Sequence, residues 1–220
     1  MNDRYDVSYK KEEVPEELFS KTFIWMFIGL CISGICAWSV SLLGGISWTV
    51  FLVSTIVELI LVFCLSGPNL EKMSSALAGF MYAIFSAVNG VTLSSIFLIY
   101  ELKSVLFVFF IAAGLFGIMA LFGYFTKVDL SKIGTFLCFA LFGVLIVLII
   151  NLFLKNTLLD TILSIVVVLL MMVTTAYDIY TMKHKNFYFN KNGHIFFALS
   201  LYLDFINILL YLLRLFGKKK

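Results

Sequence analysis

Three carboxyls stand inside long apolar runs: Glu58, Asp178 and Asp204. A charged side chain at the centre of a bilayer costs at least about 2.5–3.5 kcal/mol on insertion scales, so such residues face a bundle interior or a water-filled path and read as functional. Asp204 belongs to a stripe. Ser200, Asp204, Asn207, Tyr211 and Arg214 recur at spacings of four, three, four and three, which puts all five on one helix face. The rest of that helix is Leu, Phe and Ile almost all round, the pattern of a bundle centre or a pore wall. In the preceding apolar run Thr174, Asp178 and Thr181 share a face, with Tyr177 beside them.

If Asp178 and Asp204 meet, their chemistry is fixed. Two carboxylates about 3 Å apart in a low-dielectric site cannot both ionise, so they share a proton and change charge near neutral or mildly acidic pH. The doubly ionised form is a hard, oxygen-rich site suited to Ca²⁺. Asp178 and Asp204 are therefore the candidate proton sensor and the candidate metal-binding residues at once. The alternative use of the same carboxyls is proton-coupled cation transport. Arg214, in the last turn, is either an interfacial anchor that snorkels or a counter-ion for Glu58, the two forming an ion pair or part of a pathway. The chain carries no Ser-His-Asp set, HExxH pair or phosphate loop, and it is expected not to be an enzyme and to need no cofactor beyond Ca²⁺ as a bound or transported ion.

The elements that must hold these residues follow from composition. Of 220 residues, 62% are hydrophobic and 13% charged, against about 45–50% and about 25% in soluble domains. Soluble globular and disordered classes are excluded. The net charge of +3 is too small for a phosphate-binding face, so nucleic acid is no partner. The expected fold is an all-α polytopic membrane protein whose medium is the lipid bilayer. Seven transmembrane spans of roughly 20 residues fall at 22–42, 46–66, 73–99, 104–125, 132–154, 158–182 and 194–216. Gly44-Gly45 makes a tight turn, so the first two spans are expected to form an antiparallel hairpin. The domain division is a polar tail at 1–20, a transmembrane domain at 21–217 and a basic tail at 218–220.

Orientation follows from Lys and Arg. With the N-terminal tail cytoplasmic, that side holds ten bases, Arg4, Lys10, Lys11, Lys21, Lys72, Lys127, Lys132, Lys183, Lys185 and Lys191, against Lys103 and Lys155 in the opposite loops. Arg214 and Lys218 to Lys220 oppose this count if the seventh segment crosses; its length and lack of internal Pro or Gly favour a full crossing. On these boundaries Asp204 lies roughly 15 Å deep and Asp178 roughly 6 Å deep. They match if the sixth helix continues through Lys183–Lys185 or the seventh begins a turn later. Ala76, Gly79, Ala83, Ala87, Gly90 and Ser94 give the third span a small-residue face for close helix approach. Asn89 and Asn151 read as interhelical hydrogen bonds, and Cys31, Cys36, Cys64 and Cys138 as buried, unreactive packing residues.

The last span is recognisable. Ala198-Leu-Ser-Leu-Tyr-Leu-Asp-Phe-Ile-Asn207, running on to Leu212-Leu-Arg-Leu-Phe-Gly217, closely resembles the terminal signature of the Bax inhibitor-1 family. Thr175-Ala-Tyr-Asp178, Phe23–Phe27 with Gly29, Glu58 and Asn89-Gly-Val-Thr-Leu93 are similar to further features of that family. The resemblance implies seven helices with the last central in a bundle of the other six, no enzymatic activity, and, for bacterial members, a pH-sensitive Ca²⁺ leak channel whose sensor maps onto Asp178 and Asp204. Family members with a described closed state latch the sixth-helix aspartate with an arginine at the end of the second helix. Leu65-Ser-Gly-Pro-Asn-Leu70 holds no base there, and Lys72 is the nearest. Some relatives act instead on a membrane protease or a cell-death regulator, so a non-conducting interaction protein with a membrane-protein partner is the alternative. The absence of a signal and a Lys-, Asn- and Ile-rich chain point to a bacterial cell membrane; a eukaryotic source would point to the endoplasmic reticulum.

Overall fold

Apolar runs without a polar face have one use for their backbone, since only helices satisfy every N–H and C=O within the segment in lipid. The computed structural model describes residues 16–184 and 191–220, and these form eight helices: α1 Glu16–Leu42, α2 Trp48–Cys64, α3 Gly67–Lys72, α4 Ser75–Ile99, α5 Leu102–Phe125, α6 Ile133–Leu154, α7 Thr157–His184 and α8 Gly193–Phe216. Six are long and apolar enough to cross a membrane, and α2 is a shorter apolar helix. The protein is a multi-pass membrane protein of about seven spanning helices. Arg4, Lys10, Lys11 and Lys185, with the rest of residues 1–15, lie outside the described residues.

The boundaries have local causes. Gly44 and Gly45 both take positive φ, which ends α1 in a tight turn. Ser47 and Ser74 cap α2 and α4 by accepting from the backbone N–H three residues on. Asn156 does the same for α7, immediately after Lys155 closes α6 in the left-handed conformation. Two expectations are corrected. The Gly67-Pro68-Asn69 break is itself the start of the short helix α3, because proline fits a first helical turn. Residues 16–20, assigned to the polar tail, are already helical.

The last helix is the centre. Ile195, Leu201, Tyr202, Ile208 and Leu213 of α8 are fully buried on several of its faces. It packs directly against α1, α4, α5 and α7, while α2 leans mainly on α4 and α6 mainly on α7. The exterior is large apolar side chains such as Phe63, Phe110, Phe139 and Phe153, as lipid requires. Cys31 and Cys138 belong to that exterior, contrary to the expectation of burial; Cys36 and Cys64 are partly buried.

The expected α1–α2 hairpin does not form a packed pair. The tightest face of α1 goes to α4 instead. A Cβ on Gly90 would lie 2.5 Å from the Ser33 carbonyl oxygen and 2.7 Å from Cys36 Cβ, and one on Gly79 would meet the Trp25 ring at 2.7 Å. Close approach through small residues takes α1 to α4, and Glu58 then draws α2 to the other side of α4. Gly90→Val is expected to push the backbones apart and cost about 1–3 kcal/mol, the usual penalty of overpacking. Gly34→Val, where nothing lies within 4 Å, serves as the control; equal melting of the two variants would refute the tight contact.

The seventh spanning segment runs the full length of the bundle. At one end Asn192 Nδ2 donates to the carbonyls of Leu70 (2.8 Å) and Met73 (3.0 Å), between α3 and α4. At the other, Glu101 N–H donates to Lys218 C=O (2.9 Å) and Lys220 N–H to Ile99 C=O (3.0 Å), at the turn after α4. The helix thus spans the same two faces as α4.

Candidate proton and ion site

The α7–α8 interface brings the two aspartates together in a crossed arrangement. Ser200 Oγ on α8 donates to Asp178 Oδ2 on α7. Thr175 Oγ1 on α7 donates to Asp204 Oδ2 on α8 at 3.2 Å. Each carboxyl therefore accepts a hydroxyl from the opposite helix. The antiparallel register sets 178 against 200 and 175 against 204, so the carboxyls are offset along the helices by about one turn. α7 continues past its expected limit through Lys183 to His184, which narrows the depth mismatch; Lys185 lies outside the described residues. Asp204 is only 4% exposed, and Asp178 is half-buried. Thr174, expected on this face, donates to its own helix at Leu170 C=O; Thr175 makes the contact, its one hydroxyl proton shared between Asp204 Oδ2 and Met171 C=O of its own helix at 2.9 Å.

The lower half of the stripe serves a different space. Asn207, Tyr211 and Arg214 line a cavity of about 500 Å³ between α2, α4 and α8, with Thr55, Glu58 and Thr92 on the opposite wall. Asn207 is one turn from Asp204, so polar groups continue from the cavity to the buried pair. Asp178 and Asp204 are not among the residues that line it.

Arg214 does not pair with Glu58. Its Nη1 donates to Asp160 Oδ1 at 2.8 Å, at the start of α7, and its guanidinium lies over the Tyr211 ring. Asp160 is at the same end of the bundle as the C-terminus of α8, whereas Glu58 is mid-helix, so the shorter reach wins. The pair is about 40% exposed on both sides, which limits its worth to less than about 1 kcal/mol. Glu58 instead takes neutral donors, Thr92 Oγ1 at 2.8 Å and Asn89 Nδ2 at 3.2 Å. Asn89 Oδ1 in turn accepts from Tyr202 OH at 2.7 Å, and Tyr202 OH lies 2.6 Å from Ser33 Oγ. Asn89 is an interhelical bond, as expected. Asn151 is not: its Oδ1 accepts from the Asn156 N–H, inside the α6–α7 turn.

Sequence reasoning missed Tyr202, Thr175 and Asp160. Tyr202 lies off the polar stripe, and its apolar ring hid it among Leu and Phe. Thr175 was one residue from the face chosen for α7. Asp160 sat at a helix end, where a carboxylate is unremarkable.

A family model described as "Inhibitor of apoptosis-promoting Bax1" matches residues 16–220. The chain belongs to the Bax inhibitor-1 family. It is 35% identical to an uncharacterized protein of Borreliella burgdorferi, over 98% of each chain. It is 34% identical to the inner membrane protein YbhL of Escherichia coli K12, over 91% of each. An uncharacterized Deinococcus radiodurans protein is 33% identical over 89% of this chain and 88% of its own. In this family member the crossed Asp–hydroxyl contacts and the Glu58 network occupy opposite sides of the same central helix.

Among the described residues no three His, Cys, Asp or Glu side chains converge as a metal site. Two carboxyls and two hydroxyls carry six oxygens between them, the lower end of the roughly six to eight that Ca²⁺ takes.

A third aspartate lies at the α7 end outside the membrane-spanning helices. Asp129, between α5 and α6, accepts from the side chain and backbone of Ser131 and from Tyr180 OH. Those hydrogen bonds, the Ser131 hydroxyl first, hold its carboxyl below the usual range. A lowered value stabilises the fold above the ordinary carboxylate range and loses that contribution only in stronger acid. Asp129→Asn is therefore expected to leave any transition between about pH 8 and 5 unmoved; a displaced transition would implicate this loop in it.

Proposed function

We propose that this chain is a pH-gated Ca²⁺ leak channel of a bacterial cell membrane, with its N-terminus cytoplasmic, and that Asp178 and Asp204 are its proton sensor and its cation-binding step. The observation that carries the reading is the placement of two carboxyls on facing helices beside the bundle centre, in line with a polar stripe that ends in an open cavity. The family resemblance supplies the ion. A relative named as an inner membrane protein and the uneven distribution of bases support the location and the orientation.

The mechanism uses only the residues in place. Ionised Asp178 and Asp204 are each held by a hydroxyl from the other helix, which fastens α7 to α8. Protonation removes the charge that makes these hydrogen bonds strong. The α7–α8 contact then loosens beside Asp204, the buried point between the cavity and the opposite face. Neutral carboxyls also bind Ca²⁺ less well, so opening and release go together. Asn192 supplies a fastening to α3 and the turn after it, beyond the end of α2 where no arginine stands.

The test is Ca²⁺ entry into liposomes that hold only this protein. Flux that rises as pH falls from about 8 to about 5, the range in which a shared carboxyl proton exchanges, is expected. Folded protein that passes no Ca²⁺ at any pH would sink the channel and leave a partner-dependent role.

A further inference from the structure

Tyr202 precedes Asp204 by two residues, roughly 200° around the helix. The two side chains therefore leave α8 on nearly opposite sides. Asp204 is tied to α7 through Thr175. Tyr202 is tied to α1 through Ser33 and to α4 through Asn89, and Asn89 passes the connection to Glu58 on α2. The Tyr202 ring is fully buried, edge-on to Phe85 and Tyr82 at centroid distances of 5.5 and 6.3 Å. The central helix is thus fastened by polar groups on both sides within one turn.

We propose that Tyr202 is a positioning residue that fixes the rotation of α8, so that its contacts with Ser33 and Asn89 hold the closed form when the α7 side is released. This rests on the reading of the chain as a proton-gated leak. The physical reason is that the Tyr202 hydroxyl is fully buried between Ser33 and Asn89, so a partner lost there is not readily replaced. Turning α8 leaves the Tyr202 hydroxyl unsatisfied and takes away the donor to the Asn89 amide oxygen. Protonation at Asp178 and Asp204 touches none of these bonds. The titratable groups facing this part of α8 are Cys36 on α1, Glu58 on α2, Tyr82 on α4 and Asp178 on α7, while α5 presents the rings of Phe109 and Phe116. Tyr202 therefore sets how much of the protonation energy is needed to open, without itself changing charge.

Tyr202→Phe keeps the ring and removes the hydroxyl; Ser33→Ala removes the partner and is the second variant should the first fold poorly. In liposomes each is expected to raise the leak at neutral pH about tenfold, equivalent to about 1.4 kcal/mol, and to move half-opening roughly one pH unit toward neutral. A pH profile that superposes on wild type overturns the proposal while leaving the channel intact. If wild type passes no Ca²⁺, the channel reading fails, and a second readout still decides the proposal. Asn207→Cys, with the native cysteines replaced by Ala, is reacted with a water-soluble maleimide. A several-fold faster reaction when Tyr202→Phe is added supports the fixing role, and an unchanged rate overturns it.

Discussion

Asp204→Asn is expected to give a Ca²⁺ leak that no longer responds to pH between about 8 and 5. Asn keeps the shape of Asp204 and can still accept from Thr175 Oγ1, so the fold survives, with the α7 contact in its weaker, uncharged form. What it removes is the charge. A side chain that is neutral at every pH stands for the protonated carboxyl, and α8 has no ionised form to return to. The wild-type difference between the closed and open rates should collapse, by at least tenfold if the gate is worth more than about 1.4 kcal/mol. A flux assay over the pH range decides it. An Asp204→Asn protein that still opens with acid would place the sensor elsewhere.

The second large effect falls on Ser200. Its hydroxyl donates to Asp178, and a hydrogen bond to a charged group is worth about 1.5–3 kcal/mol. Ser200→Ala removes the donor and leaves the carboxylate half-buried with less support. The ionised, closed arrangement loses stability, and half-opening moves toward neutral pH by roughly one unit or more. Thr175→Val, nearly isosteric, is the same experiment on Asp204 and should move the profile in the same direction. A profile displaced toward acid by either variant would contradict the crossed arrangement.

Much of this was legible in the chain because lipid leaves so few options. The seven apolar runs became six long helices and the shorter α2, most of them within a few residues of the expected limits, since charges, Gly and Pro end them. The stripe Ser200, Asp204, Asn207, Tyr211 and Arg214 was readable because a period of 3.6 residues is written into the spacing. What the spacing could not give is the azimuth of the neighbours. Arg214 found Asp160 instead of Glu58 because α7 begins beside the end of α8, a tertiary fact. The small-residue face of α4 announced a close contact but not that α1 would take it in place of α2. Tyr202 was illegible for a chemical reason: an aromatic ring amid Leu and Phe reads as packing until its hydroxyl is seen between Ser33 and Asn89.

The central claim is that the aspartate pair takes up a proton as the leak opens. The most direct measurement is the infrared difference spectrum of the reconstituted protein between about pH 8 and about 5, taken beside Ca²⁺ flux on the same vesicles. A protonated-carboxyl band should grow with the midpoint of the leak and vanish in both Asp178→Asn and Asp204→Asn. A band that persists in both variants, or one whose midpoint lies away from that of the leak, would contradict the assignment of the sensor to this pair.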